Sequence, residues 1–116
     1  MLFTELEKAL LETMCQRASP AESAVLEEQL KQVTVQQREN TGVGFYTQLQ
    51  VGPVAGKTKN RVVGNVFANV AGLQNPMTFL LFTKDGVVDF LEGATTEEST
   101  TNIDFSQVKF EILPPR

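Results

Sequence analysis

The segment from Gly52 to Thr58 (Gly-Pro-Val-Ala-Gly-Lys-Thr) has the composition of a phosphate-binding loop. Such a loop needs four residues between its glycines, so that successive amides curl around a phosphate, and then a helix directly after its Lys-Thr pair. Here three residues separate the glycines, Pro53 lacks an amide hydrogen, and the residues after Thr58 favour a strand. We therefore interpret the segment as a basic loop and reject a nucleotide-binding site.

Nucleophilic catalysis has little support in this composition. The chain contains no histidine and one cysteine, Cys15. The lack of histidine excludes Ser-His-Asp and Cys-His catalysis, histidine proton shuttles and the common zinc and iron sites. Cys15 projects away from the apolar stripe of its predicted helix, towards Lys8 and Leu11. A lysine neighbour can lower the pKa of a thiol, but a cysteine with no catalytic role is the simpler interpretation.

Paired carboxylates are the remaining candidates for acid–base chemistry. Asp89 and Glu92 lie three residues apart in an apolar run, so on a regular strand they point to opposite faces and cannot share a proton. Asp85 is explained by a turn, and Glu97 and Glu98 fall in a polar loop. We predict no catalytic residue, no cofactor-binding residue and no metal ligand, and therefore no enzyme.

The acidic residues are segregated along the chain, whose net charge is -4. Residues 41–84 contain no acid and four bases, whereas residues 85–116 contain seven acids and two bases. The simpler interpretation is that the acids occupy solvent-facing turns. The alternative is an acidic surface that meets a basic partner.

Nucleic acid and membrane are weaker candidates as partners. The basic residues Lys57, Lys59 and Arg61 could contact phosphates, with Tyr46 and Phe67 as stacking groups. However, a nucleic-acid-binding domain normally has a high pI, and the pI here is about 4.8. No apolar run approaches the roughly 20 residues that span a bilayer. The acidic N-terminus does not resemble a secretory signal, and the single cysteine favours a reducing cytoplasm.

Helical periodicity covers the first 32 residues. Apolar residues from Leu2 to Met14 recur at spacings of three and four, and Thr4 and Glu7 fit a capping box. A second helix begins at Ser19-Pro20, with Glu22 placed to complete another box. A short break separates the two segments, so they are predicted to form a helical hairpin.

From Val33 onward the apolar period becomes two, and the segment Met77–Glu92 dominates. Asp85-Gly86 between two apolar runs predicts a type I′ hairpin. If those two residues form the whole turn, Lys84 pairs with Val87. An uninterrupted ladder then pairs Leu81 with Phe90 and Leu80 with Leu91. Both faces of this strand pair would be apolar, which is typical of the middle of a covered sheet.

The other strands are expected at residues 33–37, 43–51, 61–70 and 103–113. A turn is predicted at residues 39–42. Gly64 is predicted to mark a bulge or a close backbone approach, and a second bulge is expected near Ser106. Together the elements predict one α+β domain over residues 1–116, with two helices in 1–32 and an antiparallel sheet of five or six strands in 33–113. The helices cover one face of a curved sheet. Strong curvature, a partly closed barrel or a dimer partner would cover the other.

Three segments carry a resemblance to known proteins: Arg38–Thr47, Phe79–Gly86 and Leu91–Gly93. Over roughly residues 33 to 95 the chain resembles a family of small, largely uncharacterised bacterial proteins. Some of these resemble immunity proteins that neutralise polymorphic or contact-dependent inhibition toxins. The resemblance implies a toxin-binding role and carries no catalytic residue. An aromatic residue expected after the Leu-Glu-Gly stretch is replaced by Ala94-Thr95-Thr96.

The favoured hypothesis is a non-enzymatic binding protein, with a toxin-neutralising immunity protein as its sharpest form. Its partner would be a basic toxin domain, and the residues expected to contact it are Glu92, Glu97, Glu98 and Asp104. An alternative is a small-molecule or lipid-binding module with a pocket between helices and sheet, lined by Phe45, Phe67, Phe79 and Phe90. A homodimeric or purely structural domain is the third hypothesis.

Overall fold

A computed structural model describes residues 2–115 of the chain. The described elements are α1 (Glu5–Arg17), α2 (Pro20–Leu30), β1 (Val33–Asn40), β2 (Gly44–Val51), β3 (Val62–Val70), β4 (Met77–Lys84), β5 (Val87–Ala94) and β6 (Phe110–Ile112). The strands pair antiparallel in the order β1-β2-β5-β4-β3-β6. The predicted α+β class is confirmed, and the sheet is open rather than closed into a barrel.

Both helices begin where the capping signals predicted. The Thr4 hydroxyl accepts from the Glu7 amide at 3.0 Å, and the Glu7 carboxylate accepts from the Thr4 amide at 2.8 Å, so the first capping box is complete. At α2 the Ser19 hydroxyl accepts from the Glu22 amide at 3.3 Å. The Glu22 carboxylate instead accepts from Asn60 at 3.0 Å, so only half of the second box forms.

The hydrophobic core lies between the two helices and one face of the sheet. Leu10 of α1, Leu26 of α2 and Phe79 of β4 are completely inaccessible to solvent. The Phe45 ring packs between Phe79, at 5.7 Å between ring centroids, and Phe105, at 4.8 Å. Burying this apolar surface is the main term that holds the helical hairpin on the sheet.

The β4–β5 turn has the predicted type I′ geometry. Asp85 and Gly86 have φ angles of 53° and 82°, and Lys84 pairs with Val87. Gly86 also approaches the loop before β3, because its carbonyl accepts from the Thr58 amide at 3.0 Å. The turn is therefore fixed by its own backbone conformation and by that neighbouring loop.

A β-bulge at Asp89 interrupts the ladder that follows the turn. Thr83 pairs with Val88 and Phe82 pairs with Phe90, so Asp89 has no residue directly opposite it on β4. An extra residue of this kind reverses the face on which the remaining side chains of the strand point.

The pairs predicted for Leu81 and Leu80 are therefore wrong. Leu81 pairs with Leu91 rather than with Phe90, and Leu80 pairs with Glu92 rather than with Leu91. The prediction assumed an uninterrupted ladder, which the bulge does not permit. As a result Leu91 is fully buried in the core, and Phe90 lies on the opposite face of the sheet.

The glycine in β3 has both of its predicted properties. The register between β3 and β4 shifts between Val62 and Gly64. A Cβ atom at Gly64 would lie 2.5 Å from the Met14 side chain, so its absence lets α1 approach the strand closely. In contrast, β1 is longer than predicted, since it continues through residues 39 and 40, and the turn to β2 is correspondingly shorter.

The predicted strand Ile103–Leu113 is reduced to Phe110–Ile112. The Asp104 carboxylate accepts from the Ser106 amide at 3.0 Å, and the Asp104 carbonyl accepts from the Gln107 amide at 3.1 Å. These hydrogen bonds form turns in place of a strand. The change in apolar parity attributed to a bulge near Ser106 reflects these turns.

Gln29 is a buried polar residue that joins α2 to the central hairpin. Its side-chain amide donates to the carbonyls of Gly56 and Gly86, both at 3.0 Å, and its carbonyl oxygen accepts from the Val88 amide at 2.9 Å. The side chain is fully buried and all three contacts are to backbone groups. Gln29 thus fixes the position of the hairpin relative to the helix.

Glu7 is a second buried polar residue, and it joins α1 to β1 and β2. Its carboxylate accepts from two guanidinium nitrogens of Arg38, at 2.8 and 2.6 Å, and from the Thr47 hydroxyl at 2.6 Å. Burial raises the pKa of Glu7, but the hydrogen bonds from Arg38, Thr47 and Thr4 outweigh burial and hold it below its ordinary value. Glu7 is therefore a buried carboxylate that is held ionised.

Replacement of Gly86 tests the turn. We expect Gly86→Ala to lower the free energy of unfolding by about 2 kcal/mol or more, because alanine is strained at positive φ. Its Cβ would also lie 2.8 Å from the Lys57 Cβ. Urea unfolding measures the change. Gly56→Ala is the control, because that Cβ would lie 3.5 Å from Val25 and Gly56 has no positive φ. Equal effects of the two substitutions would contradict the turn geometry.

Glu7→Gln should lower the free energy of unfolding by about 1–3 kcal/mol at neutral pH, because it leaves Arg38 without its counter-charge. The folded pKa of Glu7 is depressed, so the stability it contributes is present above its ordinary value of 4.5 and is lost as pH falls through the folded pKa. The difference between wild type and variant should therefore shrink at acidic pH. Urea unfolding of both proteins across this range measures it, and a difference that grows on acidification would contradict the assignment.

Candidate binding surface

The alternation of side chains in the central strands gives the sheet two different faces. In β4, Met77, Phe79 and Leu81 are buried against the helices, whereas Leu80 and Phe82 between them are only half-buried. We call the side opposite the helices the open face. It is defined by the half-buried residues Tyr46, Leu80, Phe82 and Phe90 and by the polar side chains beside them.

Three aromatic rings form a stack across the open face. Phe82 and Phe90 pair directly on β4 and β5, with ring centroids 4.5 Å apart and planes at 17°. Tyr46 of β2 lies 4.9 Å from Phe90, at 30°. Phe82 and Phe90 stand side by side on neighbouring strands, whose usual separation is about 4.8 Å. The Tyr46 ring reaches Phe90 diagonally, because Tyr46 pairs with Glu92 in the next row. The stack forms an apolar ridge supported by the sheet beneath it.

Carboxylates border this ridge. Glu39 of β1 and Glu92 of β5 both pair with Tyr46, on either side of it. Asp89 accepts from the Gln48 side-chain amide at 2.9 Å, which places its carboxylate on the open face as well. The prediction that Asp89 and Glu92 point to opposite faces is wrong. The bulge at Asp89 changes the alternation of side chains, so both carboxylates lie on the same side of the sheet.

The charges affect the phenol of Tyr46. Burial raises its pKa, and the nearby carboxylates of Asp89 and Glu92 raise it further, because they disfavour a phenolate. The hydroxyl donates a hydrogen bond to Gln48. The carboxylates that border the aromatic ridge therefore affect the ionisation of the Tyr46 phenol within it.

Two cations lie at the hairpin end of the open face. Arg61 and Lys84 line a shallow hollow of about 590 Å³, together with Val62, Phe82, Thr83, Asp89 and Phe90. The open face thus has an apolar centre, an edge near the turn where Arg61 and Lys84 lie together with Asp89, and the carboxylates of Glu39 and Glu92 farther along the strands.

The four residues predicted to contact a partner lie in different settings. Glu92 lies on the open face, and Glu97 is exposed on the loop after β5 with a φ of 61°. Glu98 closes the β3–β4 loop, because its carboxylate accepts from the amides of Gln74 and Asn75 at 2.7 and 2.9 Å, and those hydrogen bonds lower its pKa.

Asp104 also has a local structural contact. Its carboxylate accepts from the Ser106 hydroxyl and amide, which lowers its pKa. It lines a cleft of about 230 Å³ between the start of α1 and the turns before β6. Of the four predicted residues, Glu92 alone belongs to the open face as defined.

The four phenylalanines predicted to line one pocket are divided between the two faces. Phe45 and Phe79 pack together in the core beneath the helices. Phe90 lies in the aromatic stack of the open face, and Phe67 lies on that same side of β3, between the buried residues of the strand. The four rings therefore do not line one cavity.

Cys15 is buried, with 8% of its surface exposed. Burial raises the pKa of its thiol, and the carboxylates of Glu27 and Glu12 raise it further. Its neighbourhood is therefore acidic and not the basic one that activates a thiolate. The predicted proximity of Cys15 to Leu11 is confirmed, since both line a shallow cleft of about 430 Å³ between α1 and α2.

The loop between β5 and β6 is anchored by a buried threonine. The Thr100 hydroxyl accepts from the Gly44 amide at 2.9 Å and donates to the Asn40 side chain at 2.8 Å, while Asn40 donates to the Thr100 carbonyl at 2.7 Å. The polar loop that the sequence suggested is thus fixed to the β1–β2 turn. Its position at that end of the sheet follows from these contacts.

Sequence reasoning missed the open face itself. It placed Leu80 and Phe82 in a sheet covered on both sides. The available signal was the pair Asp89 and Glu92, because two carboxylates within one apolar strand indicate that one of its sides meets solvent.

Comparison of the chain with protein-family models, with curated proteins and with solved structures gives no match. Within residues 2–115 there is no group of three or more carboxylate or thiol side chains that could hold a metal ion. Neither helix in that part of the chain is long and apolar enough to cross a membrane.

Tyr46 provides a direct probe of the open face, because it is the one tyrosine in a chain without tryptophan. Titration of its phenolate absorbance should give a pKa above the ordinary value of 10.0. Glu92→Gln should move that pKa back towards 10.0, because it removes a nearby negative charge. Glu5→Gln, on the exposed start of α1, is the control and should leave it unchanged. A pKa insensitive to Glu92→Gln would contradict the described electrostatics.

Proposed function

We propose that this chain is a non-enzymatic protein-binding protein and that the open face is its contact surface. The observation that carries the proposal is the half-exposed stack of Tyr46, Phe90 and Phe82, bordered by Glu39 and Glu92. Extended apolar surface with a polar border is typical of sites that bind other proteins.

The aromatic rings are expected to supply most of the binding free energy. Aromatic side chains dominate the energetics of many protein interfaces, because they bury a large area and lose little conformational entropy. Here Phe82 and Phe90 are already ordered by each other and by the paired strands below them. A partner would bind a preformed surface, so little ordering free energy would oppose association.

The charges favour a basic partner. Glu39, Asp89 and Glu92 lie beside the rings, and the chain has a net charge of -4. In its most specific version, the proposal is that the protein is an immunity protein that neutralises a cationic toxin domain. Carboxylates can occupy a nuclease site by standing in for phosphate, and opposite potentials accelerate the encounter. A reducing cytoplasm, where the unpaired Cys15 would remain a thiol, is the proposed location.

A small-molecule pocket between helices and sheet has weaker support. Leu10, Leu26 and Phe79 fill that space and are completely inaccessible to solvent. Close-packed interiors of this kind leave no room for a ligand without rearrangement. The open face is therefore the better candidate surface.

Co-expression with the protein encoded immediately upstream tests the proposal. We expect the two proteins to co-purify, and we expect this chain to rescue growth if the neighbour is toxic. Glu92→Lys should weaken the complex by about tenfold or more, because it opposes a basic partner. Glu27→Lys, on the exposed part of α2, is the matched control and should bind normally. Failure to co-purify and to rescue, or a Glu92→Lys variant that binds as wild type, would contradict the proposal.

A further inference from the structure

We infer that, in the free protein, the open face is covered by a second copy of this chain, related by a two-fold axis through the Phe82–Phe90 row. This inference rests on the proposed function, because it takes the same face as the contact surface. It adds a form of regulation, since a protein partner must displace the second copy.

Three successive rows of side chains lie across the strands at the hairpin end of the open face. Lys84 lies in the first row, where it pairs with Val87 at the hairpin end, and it shares a hollow with Arg61 and Asp89. Phe82 and Phe90 pair in the middle row. Glu92 lies in the third row, opposite Leu80 on one side and Tyr46 on the other. Successive rows are two residues apart, roughly 7 Å.

This layout is self-complementary under one kind of symmetry. A two-fold axis that runs along the middle row places the first row of each copy over the third row of the other. Lys84 of one copy then lies over the row that holds Glu92 of its partner, and the reverse contact occurs by symmetry. The aromatic rows of the two copies meet at the centre. A two-fold axis along the strands would instead place cations over cations.

The available area is that of a stable interface. Five strands spaced about 4.8 Å apart, with roughly six residues each at about 3.4 Å per residue, present a projected area of roughly 500 Å². Because side chains protrude from the sheet, the accessible area is larger than this projected area. It is comparable to the area of about 800 Å² that each partner buries in a typical specific interface. Two such faces would pack about 10 Å apart as a sandwich, which is an ordinary arrangement for sheets with one apolar side.

The test uses the purified full chain without any other protein. Sedimentation velocity over a wide range of protein concentration should show wild type passing from monomer to dimer. Lys84→Glu and Glu92→Lys should each raise the dissociation constant by about tenfold or more, because each places like charges together twice in the dimer. An equimolar mixture of these two variants should recover dimerisation. In a dimer that contains one copy of each variant, position 84 of either copy again faces a residue of opposite charge at position 92 of the other.

Lys109→Glu is the matched control, because Lys109 is exposed on the segment leading into β6, away from the three rows, and it should dimerise as wild type. Circular dichroism of each variant establishes that it is folded. A folded wild type that stays monomeric at all concentrations would overturn the inference, and so would a dimer that neither charge reversal weakens. Neither result bears on binding to the upstream-encoded protein, so failure of this inference and failure of the proposed function are distinguishable.

Discussion

The bulge at Asp89 is the constraint on which the two-sided character of this sheet depends. It adds one residue to β5 between Val88 and Phe90, so the side chains beyond it change face. Leu91 consequently enters the core, and Phe90 joins Phe82 on the open face. Without that residue the same sequence would place Phe90 under the helices. The bulge thus determines which side chains lie on the open face.

Three buried polar side chains hold the remaining elements around this hairpin. Gln29 ties α2 to the turn, Glu7 ties α1 to the first two strands, and Thr100 ties the long polar loop to the β1–β2 turn. Each is almost completely inaccessible to solvent, so loss of its hydrogen bonds would leave unpaired groups in the interior. The contacts of Gln29 and Glu7 hold the helices on one side of the sheet, and the aromatic ridge lies on the other.

Local signals in the sequence predicted the elements well. The capping box at Thr4 and the Asp85-Gly86 turn are confirmed, because each depends on neighbouring residues and on backbone preferences. The close approach at Gly64 is confirmed as well, although its partner, Met14, is distant in the chain. The bulge at Asp89 was not predicted. Apolar residues occupy both odd and even positions of this strand, so a one-residue insertion does not visibly disturb the sequence pattern. The prediction of a strand at 103–113 was wrong over most of its length, because Asp104 forms turns within a segment whose apolar pattern resembles a strand.

The candidate surface was harder to anticipate, because it depends on register between distant strands. Glu92 was predicted as a contact residue from charge alone and does lie on the open face, whereas Tyr46 and Phe82 become its neighbours only through the pairing of β2, β5 and β4. No local pattern contains that pairing.

The most direct test of the central claim is a nuclear Overhauser spectrum of the protein with assigned aromatic side chains. The account predicts contacts from the Phe90 ring to the rings of Phe82 and Tyr46. Contacts from the Phe90 ring to Phe79 instead would show an uninterrupted ladder and would contradict the account.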